Sequence, residues 1–453
     1  MKPAIFHNGS GAGPAQRLGE ALFSRTARIQ RMLDFEAALA RAEARCGVIP
    51  ARASEVISSC CKAELFDDEA LEREAVGAGN LAIPLVRQLT RLVAESDREA
   101  AGYVHWGATS QDAIDTGTVL EMRDTLAAME AGLRRLCDVL ADLTNRHRAT
   151  MMPGRTWLQH AVPVTFGLKT AGWLDACLRH RERLAQLKER VLALQFGGAA
   201  GTLASLGDRG DAVAAELAEE LQLNLPLVSW HTHRDRIAEA GAWCGLVVGT
   251  LGKIARDLSL SMQTEVGELL EAAGEGRGGS STMPQKRNPV AVAEVLAAAT
   301  RMPGLVSTLF AAMVQEHERA LGGWQAEWAT LPEIFTLAAN ALARMTDALS
   351  GLEVHTDAMA ANLEANGGML LAEAASMALA RSMGKAEAHR IIETASRRAL
   401  ADKKALRAVL EESPETAGAF SSELLDSIFD PSRYLGTTQA MIDRVLARAR
   451  EMQ

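Results

Sequence analysis

The chain is poor in aromatic residues, in positive charge and in long apolar runs, and each shortage excludes a class of protein. Aromatic residues make up 4% of its 453 residues, and the formal net charge is -9. An acidic chain lacks the basic surface of a general nucleic-acid binder, so we expect no nucleic-acid partner. No run of 18 consecutive apolar residues occurs, and this argues against a membrane protein. A small anionic substrate stays compatible, because a site can be locally positive in an acidic protein.

Cysteine and histidine also lack the spacing of a metal site. The six cysteines form no CxxC pair and are expected to be reduced thiols of the core. His231 and His233 could be read as a metal pair, but no cysteine or carboxylate with metal-ligand spacing accompanies them, so we predict no metal. The amino-terminal residues contain no apolar segment of the secretory type. These features predict a cytoplasmic protein.

Residues that favour helices, chiefly alanine and leucine, are plentiful instead. No stretch shows the alternation of apolar and polar residues that is typical of a strand. We therefore predict an all-α fold with a long central helical bundle. The expected division is a small helical domain over residues 1–105, the bundle over 106–351, and a small helical domain over 352–453.

Three long helical runs are predicted in the central domain. The first, Asp112–Met152, lacks proline and carries apolar residues in alternating steps of three and four over positions 119–143, which is typical of a bundle helix. The second covers residues 235–273. The third covers about 290–318 and is expected to kink at Pro303. One chain cannot cover apolar seams this long, which suggests an oligomer with shared helices.

Four polar, glycine-containing segments interrupt this pattern, each at the end of a long helix. Helix ends carry unpaired backbone groups and partial charges that can meet a charged ligand. The segments are HWGATSQD (105–112), GRTWLQHAVP (154–163), GSSTMPQKRNP (279–289) and QEHERALGGWQAEW (315–328).

Each segment also has an ordinary interpretation. Thr109 and Ser110 could simply cap the helix that follows them. GSSTMPQKRNP could be a surface loop, although serines close to Lys286 and Arg287 suit proton transfer beside a carboxylate. The charges of QEHER, which we expect on one or two turns of helix, could form a solvated face.

The order, spacing and chemistry of the four segments resemble those of the fumarase/aspartase superfamily, which includes class II fumarases, argininosuccinate lyases and adenylosuccinate lyases. GSSTMPQKRNP matches the superfamily's signature loop, GSSxMPxKxNP. The resemblance covers nearly the whole chain. It implies a homotetramer whose central helices form a twenty-helix bundle, with each active site assembled from three subunits. It also implies that the signature loop closes over the substrate and brings Ser281 as the acid or base.

Trp157 separates the branches of the superfamily. In the lyases, the segment that matches GRTWLQHA usually has a histidine at this position, which assists a leaving amine or hydroxyl. A carboxylate, with a pKa near 4, leaves without a proton, so an enzyme that opens or closes a lactone can dispense with the histidine. His160 lies three residues further on and would project differently. The chain therefore most resembles the superfamily's lactone-forming cycloisomerases.

This resemblance implies a cofactor-independent isomerase that converts a cis,cis-muconate with an acidic group at position 3 into a γ-lactone. With a 3-carboxylate, the substrate is a tricarboxylate of protocatechuate degradation. The alternative is a 3-sulfonate, from sulfonated aromatics, because Trp106, Gln285 and Gly323 depart from the usual pattern. A lyase of the argininosuccinate or adenylosuccinate type is a further alternative. A helical scaffold without activity is disfavoured by Ser281 and Lys286.

The resemblance also implies a role for individual residues. Ser281 is the expected proton donor, while Lys286 and Asn288 would stabilise an enediolate intermediate. Arginines suit bidentate pairing with the substrate carboxylates. No metal or organic cofactor is implied. The expected substrate-binding residues are Thr109, Ser110, Gln111, Arg155, Trp157, His160, Ser280, Met283 and Arg319.

Overall fold

The computed structural model describes residues 23–272, 278–416 and 418–453. The amino-terminal residues that were considered for a targeting segment lie outside these ranges. The chain forms two compact units. Unit 1 comprises Met1–Leu133, His180–Leu251 and Ala297–Ala343, and unit 2 comprises Arg134–Arg179, Gly252–Leu296 and Arg344–Gln453. The three-domain division stays a prediction.

Helices dominate the described residues, which confirms the all-α prediction. The helices up to residue 146 are α1 (Arg25–Arg45), α2 (Ala51–Cys60), α3 (Asp68–Ala78), α4 (Ala82–Ser96) and α5 (Ser110–Arg146). The helices that follow, up to residue 350, are α6 (Phe166–Val191), α7 (Gly210–Leu221), α8 (Asp235–Ser261), α9 (Val290–Ala312) and α10 (Gly323–Ser350). The carboxy-terminal helices are α11 (Thr356–Glu364), α12 (Ala372–Met383), α13 (Lys385–Asp402), α14 (Leu406–Glu412), α15 (Ser422–Ile428) and α16 (Thr438–Glu451).

Four short strands and six 3₁₀ turns complete the elements. The strands are β1 (Met151–Thr156), β2 (Gln159–Thr165), β3 (Leu269–Leu270) and β4 (Glu353–Val354). The 3₁₀ turns are Ala63–Leu65, Ala100–Tyr103, Gly198–Ala200, Ala204–Arg209, Met369–Leu371 and Pro431–Tyr434.

Helix α5 forms the predicted apolar seam. Its 37 residues span about 55 Å at 1.5 Å per residue. Every seam residue from Val119 to Leu143 is buried. The seam therefore has partners along its whole length, as a bundle helix requires.

All three long runs end earlier than predicted, and the first, α5, stops at Arg146 before strand β1 begins at Met151. Helix α8 stops at Ser261, where a turn with Gly267 at φ 61° brings the Glu268 N–H back to the Ser261 carbonyl, 3.0 Å away. Helix α9 contains Pro303 as expected but stops at Ala312. The QEHER segment is thus a loop, and the prediction of helix there was wrong.

The sequence patterns also missed the strands. β1 and β2 form an antiparallel hairpin with a register shift between Pro153 and Arg155. Trp157 and Leu158 make its turn, both at positive φ. Two prolines and a glycine mask the alternation in these fifteen residues, and each strand is specified by its pairing with the other.

Two helices, Asp235–Ser261 and Val290–Ala312, are apolar and long enough to cross a membrane by length and composition alone. In the most apolar window of Asp235–Ser261, 61% of the residues are buried inside the chain. Gly241 lets this helix approach α9, since a Cβ there would lie 2.3 Å from Leu309 Cδ1. In Val290–Ala312 only 28% of the window is buried, so this helix leaves most of its apolar surface uncovered.

The start of helix α6 allows a test of the hairpin packing. Gly167 donates its N–H to the His147 carbonyl, and a Cβ at this position would lie 2.6 Å from Arg148 Cα. We expect Gly167→Ala to destabilise the protein by about 1–3 kcal/mol, because backbone atoms cannot move aside as a side chain can. Gly172→Ala in the same helix meets nothing within 4 Å and should stabilise it by about 0.5–1 kcal/mol. Equal thermal unfolding midpoints for the two variants would contradict this packing.

Candidate functional site

In unit 1, Thr109, Gln111 and Arg319 form a polar cluster at the start of helix α5. Arg319 donates from Nη1 to the Thr109 hydroxyl and from Nε to Gln111 Oε1, 3.3 Å away. Arg319 Nη2 has no hydrogen-bond partner among the described residues. Ser110 lies beside the cluster and accepts a hydrogen bond from Asn80. A half-buried guanidinium with a free N–H edge is suited to a carboxylate ligand.

The Gln111 side chain is buried and its amide orientation is fixed. Its Nε2 donates to Asp115 Oδ2 at 3.1 Å and to the His231 carbonyl at 2.9 Å. Both partners are acceptors, so the Oε1 end must face Arg319. Gln111 therefore holds Arg319 in place.

Asp115 belongs to a buried ion triad with Arg234 and Glu327. Arg234 donates from Nη1 and Nη2 to both oxygens of Asp115, at 2.7 and 3.1 Å, and from Nε to Glu327 Oε1 at 3.0 Å. Burial acts to lower the pKa of Arg234, but the two carboxylates outweigh burial and raise that pKa above its usual value. Burial also raises the pKa of Glu327 despite its ion pair with Arg234.

Asp112 ties the same helix end to a glycine-rich turn. Its carboxylate accepts the backbone N–H groups of Gly197, Gly198 and Thr109, at 3.1, 2.9 and 3.0 Å. His231 Nε2 lies 2.8 Å from the same carboxylate. His231 is therefore a partner of Asp112 in a hydrogen-bond network, and no group of metal-ligating side chains occurs in the described ranges.

A cavity of about 70 Å³ borders the ion triad. Asp115, Arg234 and Glu327 line it together with Arg28 and Glu121. Burial raises the pKa of Glu121 to about 7, against the lowering effect of Arg28. None of the site residues predicted from the sequence borders this cavity, so we place the candidate site at the Arg319 cluster.

Glu36 and Glu43 are buried acids, and Glu36 contacts His105 of the HWGATSQD segment. His105 Nδ1 is 2.6 Å from Glu36 Oε1, and this carboxyl outweighs burial and raises the pKa of His105. Glu43 is fully buried, and both of its carboxyl oxygens lack a hydrogen-bond partner. Burial, helped by the charge of Glu36, raises the pKa of Glu43 to about 9. We therefore expect Glu43 to be a neutral acid in the folded protein at pH 7.

In unit 2, the signature loop exposes Ser281. Among the described residues, its hydroxyl has one hydrogen-bonding neighbour, Thr282 Oγ1 at 3.4 Å. Ser280 shapes the loop, because its hydroxyl accepts the N–H of Met283 at 3.0 Å. Lys286 and Met283 are exposed, and the Lys286 ammonium forms no ion pair within the described part of the chain. The tip of the loop thus presents a hydroxyl and an ammonium to solvent.

The base of this loop is firmly held. The Asn288 N–H donates to the Gly278 carbonyl at 2.8 Å, and its side-chain amide reaches Gly279. Arg287 pairs with both carboxylate oxygens of Glu353, at 2.9 and 2.8 Å. Asn288 therefore joins the two ends of the loop, a structural role in addition to its predicted catalytic role.

The hairpin presents the remaining predicted residues. Both terminal nitrogens of Arg155 pair with the buried carboxylate of Glu268, at 2.9 and 2.6 Å, so its role in substrate binding stays a prediction. Trp157 is 97% exposed at the hairpin turn. His160 lies across the hairpin from Arg155, and burial together with the Arg155 charge lowers the pKa of His160.

The predicted residues thus lie at three places, the Arg319 cluster in unit 1 and the signature loop and the hairpin in unit 2. Sequence patterns missed Asp115, Glu327 and their shared partner Arg234, and also Glu268, which pairs with Arg155. The signal was weak: Asp115 stands four residues after Gln111, so the two side chains share a helix face. The other contacts join residues about a hundred positions apart.

Comparison with known proteins identifies the family of the chain. A family profile described as lyase matches residues 13–304, and one described as adenylosuccinate lyase C-terminus matches residues 368–445. The chain belongs to the fumarase/aspartase superfamily.

Relatives within this superfamily are similar over almost their whole length. A 3-carboxy-cis,cis-muconate cycloisomerase from Pseudomonas aeruginosa is 57% identical, covering 94% of this chain and 93% of the relative. One from Bradyrhizobium diazoefficiens is 55% identical, covering 92% and 93%. The crystal structure of the 3-carboxy-cis,cis-muconate lactonizing enzyme from Pseudomonas putida matches with a TM-score of 0.91 and 49% identity, covering 97% of both chains.

The neutral acid Glu43 gives a pH-dependent prediction. Its pKa rises on folding, so the unfolded state releases a proton that the folded state keeps, and stability is lost as pH rises from about 4.5 to about 9. Glu43→Gln removes this loss, and we expect it to stabilise the protein by at least about 1 kcal/mol at pH 8 and by much less at pH 5. Glu64→Gln, which removes an exposed carboxyl, is the control. Thermal unfolding curves of Glu43→Gln with the same gain at both pH values would contradict a neutral Glu43.

Proposed function

We propose that this chain converts 3-carboxy-cis,cis-muconate to a carboxymuconolactone, without a cofactor, in protocatechuate degradation in the cytoplasm. The observation that carries the proposal is Trp157 at the hairpin turn, where a lyase of the superfamily usually has its histidine. The curated relatives above support the same activity. Arg319 and the Ser281 loop supply the charge and the proton donor that this reaction needs.

The chemistry is an intramolecular addition. A substrate carboxylate oxygen bonds to an alkene carbon, and the π electrons move to the adjacent carbon, which is α to a second carboxylate. The resulting enediolate is stabilised by the ammonium of Lys286 and the amide of Asn288. Ser281 then gives its proton to this carbon and completes the lactone. Electrons are only redistributed within the substrate, so the step needs no external oxidant or reductant.

Arg319 and Thr109 hold a carboxylate in this scheme. The free Nη2 edge of Arg319 faces the ligand, while Nη1 and Nε stay bound to Thr109 and Gln111. Trp157 forms an apolar wall of the proposed substrate site, and His160 forms a polar wall. Ser280 and Met283 act through the shape of the loop, whose backbone they fix.

The proposed active protein is a homotetramer in which three subunits contribute to each active site. Helix α9 supports this assembly, because most of its apolar surface is uncovered in a single chain. The exposed hydrophobic residues Trp157 and Leu158 support it as well, since an exposed pair at positive φ is costly unless something covers it. The proposed subunit has three domains, and the proposed location of the protein is the cytoplasm.

The activity is tested by the loss of the conjugated-diene ultraviolet absorbance of 3-carboxy-cis,cis-muconate. We expect Ser281→Ala to lower kcat about 10²- to 10⁴-fold, the usual contribution of a general acid. Ser280→Ala removes the neighbouring hydroxyl, which accepts hydrogen bonds from two backbone N–H groups of the loop, and should lower kcat less than about tenfold. Comparable losses in the two variants would contradict Ser281 as the proton donor.

Parallel substrates decide between the alternatives. Faster turnover of 3-sulfomuconate would reassign the substrate and direct attention to Trp106, Gln285 and Gly323. Fumarate release from argininosuccinate or adenylosuccinate would contradict both the proposed reaction and the interpretation of Trp157.

A further inference from the structure

The contacts of Asp115 restrict which side chain can occupy position 115. Its Oδ2 accepts hydrogen bonds from Gln111 Nε2 and Arg234 Nη1, at 3.1 and 2.7 Å. Its Oδ1 accepts from Arg234 Nη2 and Trp324 Nε1, at 3.1 and 3.0 Å. All four neighbouring groups are donors. Only a side chain that accepts at both ends satisfies them.

Asp115 fixes the orientation of the Gln111 amide, and Gln111 in turn fixes the Arg319 guanidinium. Gln111 would bind equally well with its amide reversed if its neighbours were water. Asp115 and the His231 carbonyl instead bind the Nε2 end, and Oε1 is left for Arg319 Nε. With Nε on Gln111 and Nη1 on Thr109, the plane of the guanidinium is fixed. One edge, Nη2, is then left for a ligand.

We propose that Asp115 is a positioning residue that orients the Gln111 amide and thereby aims Arg319 at a substrate carboxylate. This inference rests on the proposed function, in which Arg319 binds that carboxylate. Asp115 acts through Gln111 and does not touch the substrate itself.

An amide at position 115 would undo the arrangement. Its NH₂ group must face either Gln111 Nε2 or Trp324 Nε1, and both are donors. Facing Gln111, it repels Nε2, and reversing the Gln111 amide would place Oε1 against the His231 carbonyl and Nε2 against Arg319 Nε, so both orientations of Gln111 lose a favourable contact. The free enzyme then spends part of its time with Arg319 misdirected, and substrate binding weakens.

The first test is the Asp115→Asn variant in steady-state assays with 3-carboxy-cis,cis-muconate. We expect KM to rise about tenfold while kcat changes less than about threefold, since the reacting groups of the loop are untouched. In a Gln111→Met background the same substitution should change KM less than about twofold, because Gln111 is the link. Additive effects of the two substitutions on KM would overturn the proposal.

Glu327→Gln is the matched control. Glu327 is also buried and also binds Arg234, but it has no hydrogen bond to Gln111 or Arg319. Both variants weaken the ion triad, so both should lower the thermal unfolding midpoint. Only Asp115→Asn should raise KM. An equal rise of KM in Glu327→Gln would mean that weakening the ion triad raises KM without any change at Gln111, and this would overturn the proposal.

Crystal structures of the variants provide a readout that does not depend on the reaction. We expect the contact between Arg319 Nε and Gln111 Oε1 to be lost in Asp115→Asn and kept in Glu327→Gln. If the contact is lost as expected but the wild type converts no muconate, the proposed function fails and the positioning role stands. If the wild type is active and Asp115→Asn keeps both the contact and its KM, the positioning role fails alone.

Asp115→Glu covers the case in which Asp115→Asn does not fold. It keeps the charge and both acceptors for Arg234 but moves the carboxylate by one methylene away from its present contact with Gln111. A raised KM with near-normal kcat supports the proposal, and an unchanged KM overturns it.

Discussion

The burial of the Arg234 guanidinium is the constraint on which unit 1 depends. Its side chain is 2% exposed, and an unpaired charge there would cost several kcal/mol. Asp115 on α5 and Glu327 on α10 compensate it, while Arg234 itself stands directly before α8. Three helix ends are therefore fixed relative to one another within this unit. Those ends carry Thr109, Gln111 and the loop of Arg319, and the triad contacts this cluster through Asp115, which accepts a hydrogen bond from Gln111.

In unit 2, the loop of Ser281, the proposed proton donor, is held at its base and exposed at its tip. Gly278 and Asn288 close the base of the signature loop, and Arg287 anchors it to Glu353. The tip with Ser281 is exposed and has few contacts, as expected of a segment that closes over a ligand. In the proposed reaction, the Arg319 cluster of unit 1 binds a substrate carboxylate, and Ser281 of unit 2 donates the proton.

Sequence patterns predicted those features that depend on local spacing. The buried seam from Val119 to Leu143 followed from its heptad steps, and the signature loop was visible in its residues. The helix through QEHER was wrong, because Thr232 holds the His317 carbonyl and His317 adopts positive φ. The partners of Arg155 and Arg234 could not be predicted, since only tertiary folding brings such distant carboxylates to them.

The proposed reaction is the addition of a substrate carboxylate to an alkene carbon, with proton transfer to the adjacent carbon. Conversion of 3-carboxy-cis,cis-muconate in D₂O, followed by proton NMR in the presence of a chelator, tests it most directly. We expect a lactone with one deuterium on the carbon α to a carboxylate, and a rate that the chelator does not change. A lactone without deuterium, or no reaction in the presence of the chelator, would contradict it.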